Sequence, residues 1–203
     1  LVDRMVGRII DSLKKNGLYN NTIIVFTSEH GEMMGDHGML EKRTFYEESA
    51  RVPMLIKLQN QNDMKKIKGS FSHIDLVPTL LSKINQKLPE NLQGEDRSYA
   101  FEELDFGNNE VVVSWNGTGE IDDRNLGSEK INELNQNPRR SIIINRIKLN
   151  LTLNDSSELF DLNKDPYEET NLINSPEYQN IYQSMKEKLI DWQIKNEDNF
   201  RFK

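Results

Sequence analysis

Apolar and polar positions follow two different periods in the first part of the chain. Within residues 1–14 the apolar side chains recur every three or four positions, which predicts an amphipathic helix with the stripe Val2, Met5, Val6, Ile9, Ile10 and Leu13. Lys14-Lys15-Asn16-Gly17 supplies cations and a glycine where that helix should end. Thr22–Thr27 is largely apolar and β-branched, which predicts a buried strand. Together these elements are typical of one unit of a parallel sheet covered on both faces.

A glycine-containing loop at residues 28–44 follows this strand. Long loops inside a compact domain are usually functional. Beyond the loop the pattern predicts a helical turn at 45–49, a strand at Val52–Lys57, a helix that His73-Ile74-Asp75 begins and caps, and a short helix at 99–104.

The pattern changes near residue 107, where short apolar runs replace helical periods. Strands are predicted at Val111–Trp115, Ser141–Asn145, Ile147–Leu151 and Glu158–Leu162. The second and third of these lie close enough in sequence to form an antiparallel pair or a single bent strand. Between them and the first strand, Gly117–Pro138 is polar and is expected to be mobile.

A last helix is predicted to begin at Ser175-Pro176, with serine as its N-cap. Its apolar stripe consists of Ile181, Met185, Leu189 and Trp192. We therefore predict two domains: an α/β portion at residues 1–106, and a smaller α+β subdomain at residues 107–203 with a short antiparallel sheet and a C-terminal helix.

Composition excludes several function classes. The net charge of −7 over 203 residues argues against a nucleic-acid partner, which favours a basic face. The absence of cysteine excludes disulfides, thiolate metal sites and a cysteine nucleophile within these residues. No apolar run approaches the roughly 20 residues of a membrane span. Leu1 falls inside the first helical pattern, so we expect a fragment or processed chain with functional parts upstream.

Candidate chemistry begins where the Thr22–Thr27 strand ends. Glu29 and His30 place a carboxylate beside an imidazole, a pair that suits a divalent cation such as calcium, magnesium or manganese with further ligands from elsewhere. The alternative, equally compatible with the spacing, is a helix-capping acid beside a surface histidine. Asp161, Asn163 and Asp165 resemble a calcium loop only superficially, because the glycine and terminal glutamate are not in place.

The same loop carries two further candidates. The ammonium of Lys42 can hold a tetrahedral anion, and the imidazole of His37 can protonate a leaving group. The alternatives are an ordinary exposed lysine and a histidine that only supports the loop. Nearby, Glu47, Glu48 and Arg51 favour a structural ion pair.

These motifs, taken together, resemble the second half of a type I sulfatase, a family of the alkaline phosphatase superfamily. The resemblance is collinear over nearly the whole chain and leaves only Gly107–Pro138 without a match. It is carried by residues 22–38, 41–53, 72–81, 93–98 and 158–172. It implies that residues 1–106 are the C-terminal portion of an alkaline-phosphatase-like catalytic domain, with a mixed sheet flanked by helices.

The resemblance also implies a reaction and a site. The family hydrolyses sulfate esters with one divalent cation, usually calcium, and with a formylglycine nucleophile that lies upstream, in the N-terminal half of the same protein. Glu29 and His30 match its two late metal ligands, although the family has aspartate where Glu29 stands. Lys42 matches a lysine that contacts the sulfate, while His37 lies in a loop that varies between branches. The implied substrate is a sulfated small molecule or glycan.

Two other functions are compatible with the resemblance. A histidine at position 30 resembles the branch of the superfamily that includes choline sulfatases and phosphonate monoester hydrolases. A phosphonate or phosphodiester hydrolase, or a phosphoglycerol transferase, is therefore one alternative. A non-catalytic, sulfatase-like binding domain is the other, and Glu29 is its only support. The composition, rich in lysine, asparagine and isoleucine, suggests a bacterial source. We expect the 203 residues alone to be inactive, because the nucleophile is not among them.

Overall fold

The computed structural model describes residues 1–107, 110–115, 138–153, 156–198 and 202. It divides into two compact units, one of Leu1–Thr44 with Glu48–Lys65 and one of Phe45–Glu47 with Lys66–Lys203. The predicted domain boundary at residues 106/107 falls inside the second unit and stays a prediction. Nearly all of the segment expected to be mobile, residues 117–137, lies outside the described residues. Of the helices that are described, none has the length and apolar character needed to cross a membrane.

The predicted first helix is present as α1, Val2–Lys15. The backbone N–H of Asn16 donates to the Ser12 carbonyl at 3.1 Å, and Gly17 follows with a φ of +68°, as expected for a glycine at a helix end. The apolar stripe of α1 is uncovered, since no residue of this fully described helix is buried and Val2 is 66% exposed. A stripe of this kind ordinarily packs against another element.

The strands of the first unit are β1, Ile24–Thr27, and β2, Met54–Lys57. They pair in an antiparallel ladder in which Phe26 lies opposite Leu55. The pattern predicts a parallel neighbour for β1, but among the described strands β1 pairs with β2 alone, and that pairing is antiparallel. Phe26 and Leu55 are both exposed, so this ribbon also presents apolar surface.

Three short helices connect the two ladders. These are α2, Glu47–Ala50; α3, Leu76–Lys83, with a 3₁₀ turn at His73–Asp75 before it; and α4, Ala100–Glu103. His73-Ile74-Asp75 begins a helix as predicted, and Asp75 stands at the N-cap position of α3 without a side-chain cap hydrogen bond. Its buried carboxylate accepts a hydrogen bond from the Glu95 N–H at 2.8 Å and lies 3.3 Å from Nε of Arg97, so it holds the loop ahead of α4 instead.

The second unit contains a four-stranded antiparallel sheet in the order β3–β4–β5–β6. Its strands are Val111–Trp115, Arg139–Ile144, Ile147–Thr152 and Glu158–Asp161. Of the two predicted alternatives for β4 and β5, the antiparallel pair is the one present, with Ile142 opposite Leu149. Its two-residue turn, Asn145-Arg146, has positive φ at both positions, which matches the right-handed twist of the strands it joins.

The last helix, α5, spans Gln179–Lys195 after a 3₁₀ turn at Pro176–Tyr178. Met185 and Leu189 of its predicted stripe are buried against the sheet and Trp192 is partly buried, whereas Ile181 remains exposed. The buried cluster consists of Ile142, Leu149, Leu151, Leu159, Tyr178, Met185, Leu189 and Phe202. Burying each large aliphatic side chain contributes about 1.5–3 kcal/mol, which makes this cluster the main stabilising element of the unit.

Candidate functional site

Glu29 and His30 lie directly after β1 and are in contact with each other. Nδ1 of His30 is 2.7 Å from the Gly31 carbonyl oxygen, and Nε2 is 3.1 Å from Oε1 of Glu29. The hydroxyl of Ser28 donates to the His30 carbonyl at 2.8 Å and fixes the backbone there. Since a carbonyl oxygen only accepts, the first contact requires the proton on Nδ1 and directs the Nε2 lone pair of a neutral ring at the carboxylate.

This arrangement has the chemistry of two cation ligands. A lone pair and a carboxylate oxygen at this separation repel each other unless a proton or a cation lies between them, and two ligands of one metal ion are held about 3 Å apart by ordinary metal–ligand distances. The Glu29 side chain is 85% exposed and His30 is partly exposed, so both are accessible. Within the described residues no third histidine or acid joins them in a metal-binding group. The pair therefore fits part of a divalent-cation site.

Lys42 lies at the far end of the same loop, and its side chain is exposed. Its carbonyl oxygen accepts a hydrogen bond from Oγ of Ser49 at 2.7 Å. One residue earlier, Glu41 accepts from the Met33 N–H at 2.8 Å and donates its own N–H to Oε1 of Glu32 at 2.6 Å. Met33 is completely buried. The loop is therefore closed by cross-links between its two arms, and Lys42 starts from a fixed backbone.

His37 lies between these cross-links, in a single 3₁₀ turn at Asp36–Gly38. Its φ of +52° is in the left-handed region, which a non-glycine residue adopts only in tight turns. The Gly35 N–H donates to the Met39 carbonyl at 2.9 Å and closes the turn. The side chain of His37 is exposed, as an acid group that meets a substrate must be, and its role stays a prediction.

Ser49 is the residue that the sequence analysis passed over. It is buried in α2, accepts the Gly31 N–H at 2.8 Å through its carbonyl, and binds the Lys42 carbonyl through its hydroxyl. Its only sequence signal is a small polar residue inside the charged run of Glu47, Glu48 and Arg51, a run that favours a structural ion pair. The structure pairs Glu47 with Lys148, at 2.8 Å.

The superficial calcium loop at Asp161–Asp165 is a structural turn. Oδ1 of Asp161 accepts the Asn163 N–H at 3.1 Å, and Oδ2 of Asp165 accepts the Thr170 N–H at 2.8 Å. Both carboxylates are thus used to cap backbone amides, which is the common role of aspartate in turns.

The chain resembles the same group of known proteins in sequence and in structure. A family model described as Sulfatase matches residues 1–85. The uncharacterized sulfatase YidJ of Escherichia coli (strain K12) is 32% identical over 201 residues, which is 98% of this chain and 37% of the relative. The chain thus spans little more than a third of the length of that relative.

Two solved structures resemble the chain over almost its entire length. BT4656, solved in complex with its substrate D-glucosamine-2-N,6-O-disulfate, has a TM-score of 0.76 and 27% identity and covers 98% of this chain, which spans 39% of that protein. The phosphonate monoester hydrolase of Agrobacterium radiobacter has a TM-score of 0.72 and 27% identity, with coverages of 96% and 39%. The chain therefore shares its fold with a protein whose substrate is a sulfated sugar and with a protein named as a phosphonate monoester hydrolase.

Proposed function

Because the chain belongs to the type I sulfatase family, of whose members it covers a C-terminal part, we propose that the protein at its natural length hydrolyses sulfate esters. The observation that carries this proposal is the Glu29–His30 pair at the end of β1, on the same cross-linked loop as Lys42. One end of the loop offers cation ligands and the other a cation of its own, which together suit a tetrahedral anion bound to a metal.

Glu29 and His30 would hold the divalent cation, with calcium as the first candidate and manganese or magnesium as alternatives. Calcium takes 6–8 oxygen ligands and tolerates irregular geometry, so the remaining ligands would come from other parts of the protein. When bound, such a cation neutralises charge on the sulfate and polarises its oxygens. Glutamate keeps the negative charge of the aspartate that is usual in the family, and its extra methylene lets the carboxylate reach further.

Lys42 would bind the sulfate oxygens through its ammonium, and His37 would protonate the departing alcohol. The nucleophile, a formylglycine in this family, would come from the N-terminal half of the same protein, which we propose as the partner of this chain. It follows that residues 1–203 alone bind ligands of the site but do not turn over a sulfate ester.

A sulfated sugar is the substrate class that the comparison favours. BT4656 was solved with a disulfated glucosamine, and its fold matches this chain at a TM-score of 0.76. The likeness to a phosphonate monoester hydrolase supports a second candidate, hydrolysis of a phosphonate monoester. Both substrates present a tetrahedral anion to Lys42, so these residues suit either, and turnover must distinguish them.

The test uses the protein at its natural length with 4-nitrophenyl sulfate and a phenylphosphonate monoester as substrates. We expect the sulfate ester to be preferred, activity to be lost in EDTA and restored by calcium, and Lys42→Ala to lower kcat by about 10²–10³-fold, as for loss of one anion-stabilising donor. Lys87→Ala, a change at an exposed loop lysine, is the matched control and should leave kcat unchanged.

Calorimetry with calcium and manganese completes the test. Glu29→Gln should weaken cation binding at least about tenfold, and Glu29→Asp should retain it, because only the latter keeps the charge. A wild-type protein that binds neither cation and cleaves neither ester would refute the proposal in favour of a binding domain. Preference for the phosphonate would establish the second candidate.

A further inference from the structure

We propose that Ser49 is a positioning residue that holds the anion-binding lysine in register with the cation ligands. This inference rests on the proposed function, because it assigns Ser49 a role in the site formed by Glu29, His30 and Lys42. Ser49 does not itself reach substrate: it is 3% exposed, within α2. Its effect is on the backbone of the two segments that carry the site.

One hydrogen bond links Ser49 to the segment that carries the cation ligands. The Gly31 N–H donates to the Ser49 carbonyl at 2.8 Å, and the Gly31 carbonyl in turn accepts Nδ1 of His30 at 2.7 Å. The backbone of α2 therefore fixes the peptide that orients the His30 ring. The Gly31–Ser49 hydrogen bond uses only main-chain atoms of Ser49, so it should persist when the side chain is changed.

A second hydrogen bond links Ser49 to Lys42. Oγ of Ser49 donates to the Lys42 carbonyl at 2.7 Å, so the hydroxyl fixes the point from which the long, exposed Lys42 side chain extends. The neighbouring Met33–Glu41 hydrogen bond holds the loop one residue before Lys42 but leaves the Lys42 carbonyl itself to Ser49. Loss of the hydroxyl would remove the donor from this part-buried hydrogen bond and let the Lys42 peptide rotate.

Removal of the hydroxyl should thus affect anion binding and spare cation binding. In the protein at its natural length, Ser49→Ala is expected to weaken the affinity for inorganic sulfate and to lower kcat/KM about five- to tenfold, the equivalent of one net hydrogen bond. Calcium affinity, measured by calorimetry, should change by less than about twofold, because the Gly31–Ser49 backbone hydrogen bond remains. Ser49→Cys, similar in size with a weaker donor, should give an intermediate loss.

A double-mutant cycle separates positioning from a merely structural effect. Without the ammonium there is nothing left to position, so Ser49→Ala should change sulfate affinity by less than about twofold in a Lys42→Ala background. Equal losses in both backgrounds, or no loss in the wild-type background, would overturn the inference. If Lys42→Ala alone leaves sulfate affinity unchanged, the proposed role of Lys42 fails and the inference fails with it. That result differs from a failure of Ser49 alone, in which Lys42→Ala weakens sulfate binding and Ser49→Ala does not.

Discussion

Gly31 approaches the Glu48 carbonyl so closely that a Cβ on Gly31 would lie 1.9 Å from the carbonyl oxygen. Real Cβ–oxygen contacts are never this short, so only glycine fits without a shift of the backbone. The approach brings the Gly31 N–H to the Ser49 carbonyl, and it places the segment after β1 directly on α2. Glycine is thus required at this position by packing alone.

Gly31→Ala should therefore destabilise the protein by about 1–3 kcal/mol, the usual cost of overpacking, and also weaken calcium binding because His30 is adjacent. Urea unfolding and calorimetry at natural length measure the two effects. Gly94→Ala has the same 1.9 Å conflict, with the Ile74 carbonyl, and should lower stability without changing calcium affinity.

Gly7→Ala is the control for the substitution itself. Nothing lies within 4 Å of a Cβ at Gly7, which is inside α1, so alanine there should stabilise the protein by about 0.5–1 kcal/mol through helix propensity. A Gly31→Ala protein that unfolds at the wild-type urea concentration would show that the α2 backbone yields easily and would contradict the prediction.

Local patterns predicted the elements and the contact between Glu29 and His30. The α1 stripe, the β4–β5 hairpin and the start of α5 each depend on side chains and turns within a few residues of one another. Glu29 and His30 are neighbours in sequence, so a strand ending before them was enough to place them together. Such signals are contained within one window of the chain.

The remaining contacts depend on the path of the backbone, which no window contains. Ser49 meets Gly31, 18 positions earlier, only because the loop folds back on α2. Glu47 pairs with Lys148, which comes from a strand 101 positions later, so no sequence window around the charged run contains this partner. A lysine between the apolar residues Ile147 and Leu149 is the sequence sign of this buried ion pair.

Lys148 is completely buried and holds two carboxylates. Its Nζ lies 2.8 Å from an oxygen of Glu47, 2.8 Å from an oxygen of Glu168, and 2.8 Å from the Phe45 carbonyl that it binds. Lys148→Met removes this ammonium from both carboxylates, of which that of Glu168 is completely buried, and should cost about 3–5 kcal/mol at pH 7. Lys66→Met, a change at an exposed lysine, should stay within about 0.5 kcal/mol.

The pH dependence of this loss gives a second check. Burial raises the pKa of Glu168, and the ammonium of Lys148 opposes that rise, so the Lys148→Met change should raise the pKa further. A raised carboxyl pKa gives stability that is present at low pH and is lost as pH rises through the folded-state value. The loss of stability in Lys148→Met, measured by urea unfolding, should therefore be smaller at pH 5 than at pH 7. Adding Glu168→Gln should recover part of the lost stability at pH 7. A penalty independent of pH would contradict this account.

Tyr178 donates a hydrogen bond to the buried carboxylate of Asp161. Burial raises the pKa of Asp161, but the hydrogen bond from the Tyr178 hydroxyl at 2.8 Å, with those from Asn163, outweighs burial and lowers the pKa below its ordinary value. A lowered pKa gives stability that is present above the unfolded-state value and is lost as pH falls through the folded-state value. Tyr178→Phe should cost about 1.5–3 kcal/mol at pH 7, the range for a hydrogen bond to a charged group.

Since protonated Asp161 no longer benefits from that donor, the difference between wild type and Tyr178→Phe should narrow as pH falls below about 4. Urea unfolding at pH 7, 5 and 3 measures it, with the exposed Tyr167→Phe as the control expected to match wild type throughout. A difference of the same size at pH 3 as at pH 7 would show that the hydroxyl acts through packing, and that the Asp161 carboxylate does not depend on it.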